Sequence, residues 1–408
     1  MSPPPPPPSR PPKPPKPHPS IAAISKFLST LPQNQKDISQ PPPLPSKLRY
    51  DIYGSLLLLP PTSPLTTPPW STYISSLPMQ TKSEFFATLA RSLNVTHIAV
   101  NSPIALKTLP SNEEGNNEEQ SENYIRAPRI TPLYGSFSTN HNTNSNDENV
   151  DFNTTFWTST TQHGIIQIWA PLYTMFSRGN ITEKARIHDI VSSQLKERTG
   201  NGGVVVAAVD LFVGIGYFAF SYLKAGVDVV YGWDINAWSV EGCRRGAGGN
   251  GWTVKVASSA DATTTTAAVG DVEGEEGERL VIFHESNEHA PARLRAIKSM
   301  KEKGGVEWPH IMHVNLGLLP TSSGAYKTAV EILSLNEDKR KEAWVHVHEN
   351  GKKEGVQEMG EGIVRRFREL AGEVCEGEVE VEVEHVEFVK SWAPGVWHCV
   401  FDVKVLWR

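Results

Sequence analysis

What is scarce in this 408-residue chain limits it first. It has three cysteines, Cys243, Cys375 and Cys399, with no pairable spacing. That fits a reducing compartment and argues against a zinc site. No apolar run reaches the length that spans a bilayer, and the N-terminus carries no apolar signal region. A cytoplasmic setting without a membrane partner is the expectation, and the sequons at Asn94, Asn153 and Asn180 then read as chance matches. Basic charge is short as well. The net charge is −6, so no global field draws in a polyanion, and such a partner must meet a local patch. Hydrophobic content of 38% and charged content of 21% are low for a fully globular chain, a deficit assigned to disordered stretches.

Proline, by contrast, is plentiful. Residues 1–45 read as a disordered proline-rich tail, a possible ligand for a proline-binding-domain partner, with a short helix at Ile21 to Leu31. Residues 46–200 read as a smaller α+β region. "YGSLLLLP" and "THIAV" are strands, and "KSEFFATLARSLN" puts Phe85, Phe86, Leu89 and Leu93 on one helical face. "GIIQIW" opens as a strand and passes "SRGN" into a helix. Asn180 or Thr182 could cap that helix, with Glu183 in its first turn. Residues 201–408 alternate strand and helix, the signature of a parallel α/β sheet. Strands fall at 204–209, 228–233, 280–284, 310–315 and 343–349. Helices fall near 217–226, 237–246, 289–303, 322–334 and 354–372. The polar segment 257–279 is a solvated insertion. Two alternating runs around "SWAPG" close the chain as a β-hairpin. A parallel core ending in a hairpin is the plan of the Rossmann-like class I S-adenosylmethionine-dependent transferases.

The chemistry concentrates in "VDLFVGIGYFAFSYLKAGVDVVYGWDIN". Gly214 and Gly216 form a corner where a ligand can approach the backbone. Alone, "GIGYFA" also fits a nicotinamide dinucleotide site. Asp234, at the end of the second strand, is placed to accept from both hydroxyls of a ribose. Asp210, before the corner, can hold the amino-acid end of an aminoacyl sulfonium, whose positive sulfur favours a nearby carboxylate. Both acids together point to S-adenosylmethionine. At the third strand end, Glu285 or Asn287 could accept from an adenine amino group; Ser286 or Asn287 would equally serve as a helix N-cap.

These segments, with "WDINAWSVEGCRRGA", "VNLGLLPTSSGAY", "HVHENG" and "IWAPLYTMFSRGNITEKARI", resemble the tRNA wybutosine-synthesising aminocarboxypropyl transferases. That family is related to the tRNA guanine N1-methyltransferases. The resemblance runs from about Pro45 to the C-terminus. It implies S-adenosylmethionine as co-substrate, with the 3-amino-3-carboxypropyl group going to a tricyclic demethylwyosine base in phenylalanine tRNA. It implies catalytic roles for Arg178, Asn315 and Pro320, and cofactor roles for Asp210, Gly214, Gly216, Asp234, Glu285, Asn287 and Asn315. "NLGLLP" is longer than the Asn-Leu-Pro turn of the methyltransferase relatives, and a longer turn can reorient which sulfonium carbon meets the nucleophile. "HESNEHA" departs from the Gly-Asp-Asn turn frequent in the family.

Trp392, Tyr173, Phe176 or Tyr326 could stack on an extruded base. Arg178, Lys184, Arg186, Lys196 and Arg198 form either a phosphate-binding patch or a solvated helix face, and Glu183 and Arg186 have the spacing of a helical pair. His310, His313, His346 and His348 lack a complete metal-ligand spacing, and Glu349 with Asn350 reads as the end of a fifth strand near the cofactor. The competing readings are a guanine methyltransferase of the same fold and a non-catalytic tRNA-binding protein with a degenerate pocket.

Overall fold

The computed structural model describes residues 18–32, 40–101, 130–138, 151–198, 204–258, 278–336, 342–374 and 378–407. They divide into two compact units. The first comprises the described residues up to 101 together with 130–137, and the second runs from 138 onward.

In the first unit the elements are α1 (Pro19–Thr30), β1 (Asp51–Tyr53), β2 (Leu56–Leu59), α2 (Trp70–Ser76), α3 (Met79–Ser92), β3 (His97–Asn101) and β4 (Ile130–Tyr134). The strands form one sheet in the order β1-β2-β3-β4. Phe85, Phe86 and Leu89 of α3 are buried on one face, as their spacing predicts, against Leu57, Leu59 and Ile98 of the sheet. The short helix expected at Ile21 to Leu31 is α1, and only its assignment to a disordered tail is corrected. Residues 19–30 are a helix whose Ala23, Ile24 and Phe27 join this core, because an apolar stripe at that spacing gains more from burial than the flanking prolines cost. Residues 1–17 lie outside the described residues.

The second unit opens with β5 (Thr158–Gln162) and β6 (Ile165–Trp169), a hairpin turned by His163 and Gly164, both at positive φ. That is the backbone a two-residue hairpin turn needs. Then follow α4 (Ile181–Arg198), β7 (Val206–Asp210), α5 (Ala219–Ala225), β8 (Val229–Trp233), α6 (Ala237–Gly249), β9 (Val254–Ser258) and β10 (Leu280–His284). The chain continues through α7 (Ala290–Gly304), β11 (His310–Leu316), α8 (Tyr326–Leu333), β12 (Ala343–Lys352), α9 (Val356–Val374), β13 (Val379–Ala393) and β14 (Val396–Trp407). Eight strands form one sheet in the order β13-β14-β12-β11-β7-β8-β10-β9. Six are parallel, and the terminal hairpin β13–β14 adds antiparallel to β12. The α/β class and the C-terminal hairpin are as the sequence implied. The edge strand β9 is an addition: it pairs with β10 just before the polar insertion.

Both sheet faces are covered, so the central strands are buried along their length, their apolar runs interrupted by buried His310, His313, Asn315, His346 and His348. One core joins α7, α8 and α9 to the sheet, with Leu294, Val330 and Phe367 fully buried. Each such side chain contributes about 1.5–3 kcal/mol by burial. The other core packs Ile187 and Val191 of α4 and Tyr222 of α5 on the opposite face. Residues 138–198, read from sequence with the first region, therefore pack in the same unit as the large sheet. The chain order reverses at β7, with β8 on one side and β11 on the other. Ligands of open α/β sheets bind outside the carboxyl ends at such a switch point.

Candidate active site

Asp210 ends β7 fully buried, and the register of β11 sets Asn315 beside it. Asp210 Oδ1 accepts from the Phe212 backbone N–H at 3.2 Å and from Asn315 Nδ2 at 3.2 Å. Asp210 Oδ2 and Asn315 Oδ1 are buried without a hydrogen-bond partner among the described residues. Burial raises the Asp210 carboxyl to about 7 against the downward pull of the hydrogen bonds from Asn315 and Phe212 and of the nearby Ala219 backbone amide, which makes no hydrogen bond of normal geometry to it. The Asp234 charge adds to the rise.

The two corner glycines differ in what they do. At Gly216 (φ +88°) a side chain would run into the Phe220 ring, so this position serves packing. At Gly214 (φ +55°) the nearest atoms to an added Cβ belong to the Tyr217 ring at 3.5 Å. A Cβ there would make only ordinary contacts, so that face of the corner is not closed by packing. Asp234 follows β8; its Oδ2 accepts from Gly214 N–H at 2.9 Å and its Oδ1 from Asn236 N–H at 2.8 Å. Burial raises it to about 6, against those two bonds. Asn236 caps α6 by accepting from Trp238 N–H at 3.0 Å. A carboxylate has about four acceptor sites, so Asp234 retains capacity for ribose hydroxyls. A corner not closed by packing, a carboxylate with spare lone pairs and a buried acid with an orphaned oxygen fit an adenosyl sulfonium with an amino-acid tail.

The third strand end is less free than the sequence suggested. Glu285 is held by Arg293 at 2.8 Å and accepts from Trp233 Nε1 at 3.4 Å. Its carboxylate is thus committed to an ion pair with only 6% exposure. Asn287 Nδ2 donates to the Leu211 carbonyl at 3.0 Å, tying this strand end to the first loop. Ser286 takes the cap of the short turn after β10, accepting from Glu288 N–H at 3.4 Å.

After β11 the "LGLLPTS" segment crosses the end of β12. The Pro320 carbonyl accepts from Asn350 N–H at 2.8 Å, and Pro320 itself is exposed. Glu349 Oε1 accepts from Thr321 Oγ1 at 3.0 Å, Ser322 N–H at 3.0 Å and Tyr326 OH at 2.7 Å. Sequence reasoning located Glu349 and Asn350 near the site but missed this anchoring role.

Arg178 is exposed on a short turn fixed from two sides. Ser177 N–H donates to Tyr217 OH at 2.6 Å, and Tyr217 OH donates to the Met175 carbonyl at 2.8 Å. Lys390 of β13 donates to Ser177 Oγ at 2.8 Å and to Asn180 Oδ1 at 3.0 Å. The turn is therefore tied to both the glycine corner and the terminal hairpin. The proposed cationic patch is not assembled. Arg186 turns inward to Glu183 at 2.7 Å and Asp402 at 2.5 Å, and Lys184 donates to Gln162 and Gln167. Both sit on the α4 stripe that covers the sheet. The Arg198 side chain lies outside the described residues.

Of the stacking candidates, Tyr173 lies on Trp238 at 4.0 Å, Phe176 on Trp169 at 4.4 Å, and Tyr326 is buried on Glu349. Trp392 is 40% exposed on β13. The strand histidines join polar chains: His313 to His346 at 3.1 Å, His346 to Asp402 at 2.7 Å, and His348 to His398 at 2.9 Å. Burial lowers both His348 and His398, the latter to about 4.

No family model matches the chain. Among curated proteins it is similar to tRNA wybutosine-synthesizing protein 2 of Schizosaccharomyces pombe, with 35% identity over 89% of this chain and 73% of that one. It is also similar to the Saccharomyces cerevisiae protein of the same name, with 28% identity over 76% of this chain and 60% of that one. Among solved structures, a putative transferase of Pyrococcus horikoshii has a TM-score of 0.54 at 17% identity, covering 95% of this chain and 100% of that one. P. horikoshii TYW2 in complex with MeSAdo has a TM-score of 0.52 at 16% identity, covering 95% and 99%. At such identities the two structures share the fold.

Proposed function

The chain belongs to the family of tRNA wybutosine-synthesizing protein 2, and we propose that it transfers the 3-amino-3-carboxypropyl group of S-adenosylmethionine to a tRNA base. The acceptor we infer is the tricyclic demethylwyosine base 3′ of the anticodon in phenylalanine tRNA, in a cytoplasmic setting. Among the described residues no helix is long and apolar enough to cross a membrane. Catalysis belongs to the unit that carries β7 to β14.

Bound S-adenosylmethionine supplies an electrophilic carbon, whose bond to sulfur breaks with the pair left on sulfur as methylthioadenosine while the acceptor carbon loses a proton. The chain's own residues mainly position the reactants. Asp234 holds the glycine corner and faces the sugar. Asp210, with its unpartnered oxygen, faces the ammonium of the amino-acid tail, and Asn315 orients that carboxylate. Arg178 meets the acceptor base or its phosphate. The segment 315–320, anchored through Asn350 and Glu349, selects which sulfonium carbon points at the nucleophile.

The observation that carries this reading is the coupling of Asp234 to Gly214 N–H beside the orphaned Asp210 Oδ2. The test is incubation with tRNA carrying the tricyclic base and S-adenosylmethionine labelled separately in methyl and carboxyl positions. Carboxyl label in the tRNA supports the transfer. Methyl label alone would assign a methyltransferase, and no label would sink both.

A further inference from the structure

A cavity of about 350 Å³ lies beside α4, lined by Gln162, Gln167, Lys184, Ser221 and Lys224. Lys184 is 5% exposed, and its ammonium donates to Gln162 Oε1 at 2.5 Å and Gln167 Oε1 at 2.7 Å. It also lies 5.3 Å from the Tyr217 ring centroid and 5.6 Å from that of Phe176. Among the described residues no carboxylate pairs with it. A buried ammonium with only neutral partners is costly, and here burial pulls Lys184 down to about 8.

The ammonium also decides which way the amides face. A lysine only donates, so it turns both glutamine oxygens toward itself and leaves their NH2 groups for other partners. Gln167 Nε2 and Ser221 Oγ are buried without a hydrogen-bond partner among the described residues, and both residues are 1% exposed or less. Lys224, at the rim, donates to the His163 carbonyl. Asp189, the acid lining the rim, is paired with His188 at 2.9 Å. The buried unpartnered groups are an amide NH2 and a hydroxyl that can donate, beside a cation with no carboxylate partner, while the one carboxylate of the lining, Asp189, is 78% exposed at the rim. That is the chemistry of an oxyanion site.

We propose that this cavity binds a phosphate group, with Lys184, Gln167 and Ser221 as its donors. The group is either a backbone phosphodiester of the tRNA substrate, an arm that rests on the function proposed above, or a free phosphate.

The test uses the full chain and inorganic phosphate as probe, with binding followed by 31P line broadening. Comparison is with Ser221→Ala, Gln167→Leu and Lys184→Met. Ser221→Ala removes a hydroxyl with no partner in the fold, so it leaves folding intact even if Lys184→Met does not. Saturable phosphate binding, weakened about tenfold or more in the folded variants, supports the site. The tRNA dissociation constant, measured against salt, then separates the sources. If the phosphodiester is the ligand, Lys184→Met lowers the salt slope by about 1 and phosphate competes with tRNA. If tRNA binding is unchanged while phosphate binding is lost, the site serves free phosphate. Absence of saturable binding to the wild-type chain overturns the proposal. Both readouts are independent of group transfer, so the failure of one reading is distinguishable from failure of the other.

Discussion

Asn315 donates to Asp210 Oδ1 across the β11–β7 pair, and the opposite oxygen of the same carboxylate has no partner among the described residues. The acid is poised near neutrality, raised to about 7 by burial. Its ionised form is the one that attracts an ammonium. Affinity for S-adenosylmethionine should therefore rise as pH increases through about 7. Asp210→Asn should weaken binding by about tenfold or more and flatten that rise. Titration calorimetry at pH values on either side of 7 checks both.

The same shift has a stability consequence of opposite sign. The folded-state carboxyl titrates near 7, whereas the unfolded one titrates near its usual value of 3.8. Between these values the folded chain holds the extra proton, so stability falls as pH rises. Asp234, raised to about 6, acts in the same direction. Asp210→Asn should thus gain thermal stability relative to wild type on moving from acidic to mildly alkaline buffer. Melting curves of both proteins across that range are the check, and parallel curves would contradict the assignment.

Much of the α/β unit was legible because its strands are apolar runs broken by amphipathic helices. The expected strands at 228–233 and 280–284 are β8 and β10 within a residue, and the hairpin around "SWAPG" is β13–β14. β9 was not legible: a short strand such as "VKVAS", next to a polar insertion, carries too little pattern. Of the candidate site residues read from sequence, Asp210 and Asn315 lie side by side, as do Gly214 and Asp234, because strand ends and glycine corners are local signals. The inward turn of Arg186 was not legible. Its helical partner Glu183 could be read from spacing, but Asp402 lies 216 residues away and is brought beside it only by the sheet. Glu285 looked available for adenine because the sequence does not show that Arg293 reaches back to it.

The two corner glycines should separate in substitution. Gly216→Ala adds a Cβ against the Phe220 ring at a positive φ, so it should cost about 1–3 kcal/mol of stability from overpacking alone. Gly214→Ala makes only ordinary van der Waals contact, 3.5 Å from the Tyr217 ring and 3.9 Å from the Phe212 carbonyl, and keeps most of the fold, apart from the cost of its φ. Its main effect should be on S-adenosylmethionine binding, where backbone approach matters. Denaturant midpoints and calorimetry on both variants distinguish a packing loss from a binding loss.

Arg186 joins Glu183 and Asp402 beneath α4, and Asp402 also accepts from His346. His346 and Arg186 hold Asp402 well below the usual carboxylate range. Arg186→Met would leave the buried Glu183 carboxylate without its cation and Asp402 with His346 alone, at a cost of about 3–5 kcal/mol. The pH dependence should invert: wild type loses this contribution as pH falls below the normal carboxylate range, whereas the variant should be relatively least stable at neutral pH. Chemical denaturation at neutral and acidic pH measures the difference.

The segment 315–320, which the sequence marks as selector, is held just after Pro320 by one carboxylate. Glu349 gathers the Thr321 hydroxyl, the Ser322 amide and the Tyr326 hydroxyl, and so anchors the chain just after Pro320. Removing this acceptor leaves the buried Ser322 amide and the Tyr326 hydroxyl unsatisfied, which costs about 1–3 kcal/mol per group. Glu349→Gln keeps an acceptor oxygen and should retain most of the anchoring; Glu349→Ala should not. If the 315–320 segment chooses the transferred carbon, loosening its anchor should lower the yield of aminocarboxypropyl product and let methyl transfer appear. The Gln variant should stay close to wild type. Mass spectrometry of the modified tRNA from the three proteins reads both products. Loss of activity in Glu349→Ala with the product ratio unchanged would leave the segment a structural support and move selection elsewhere in the site.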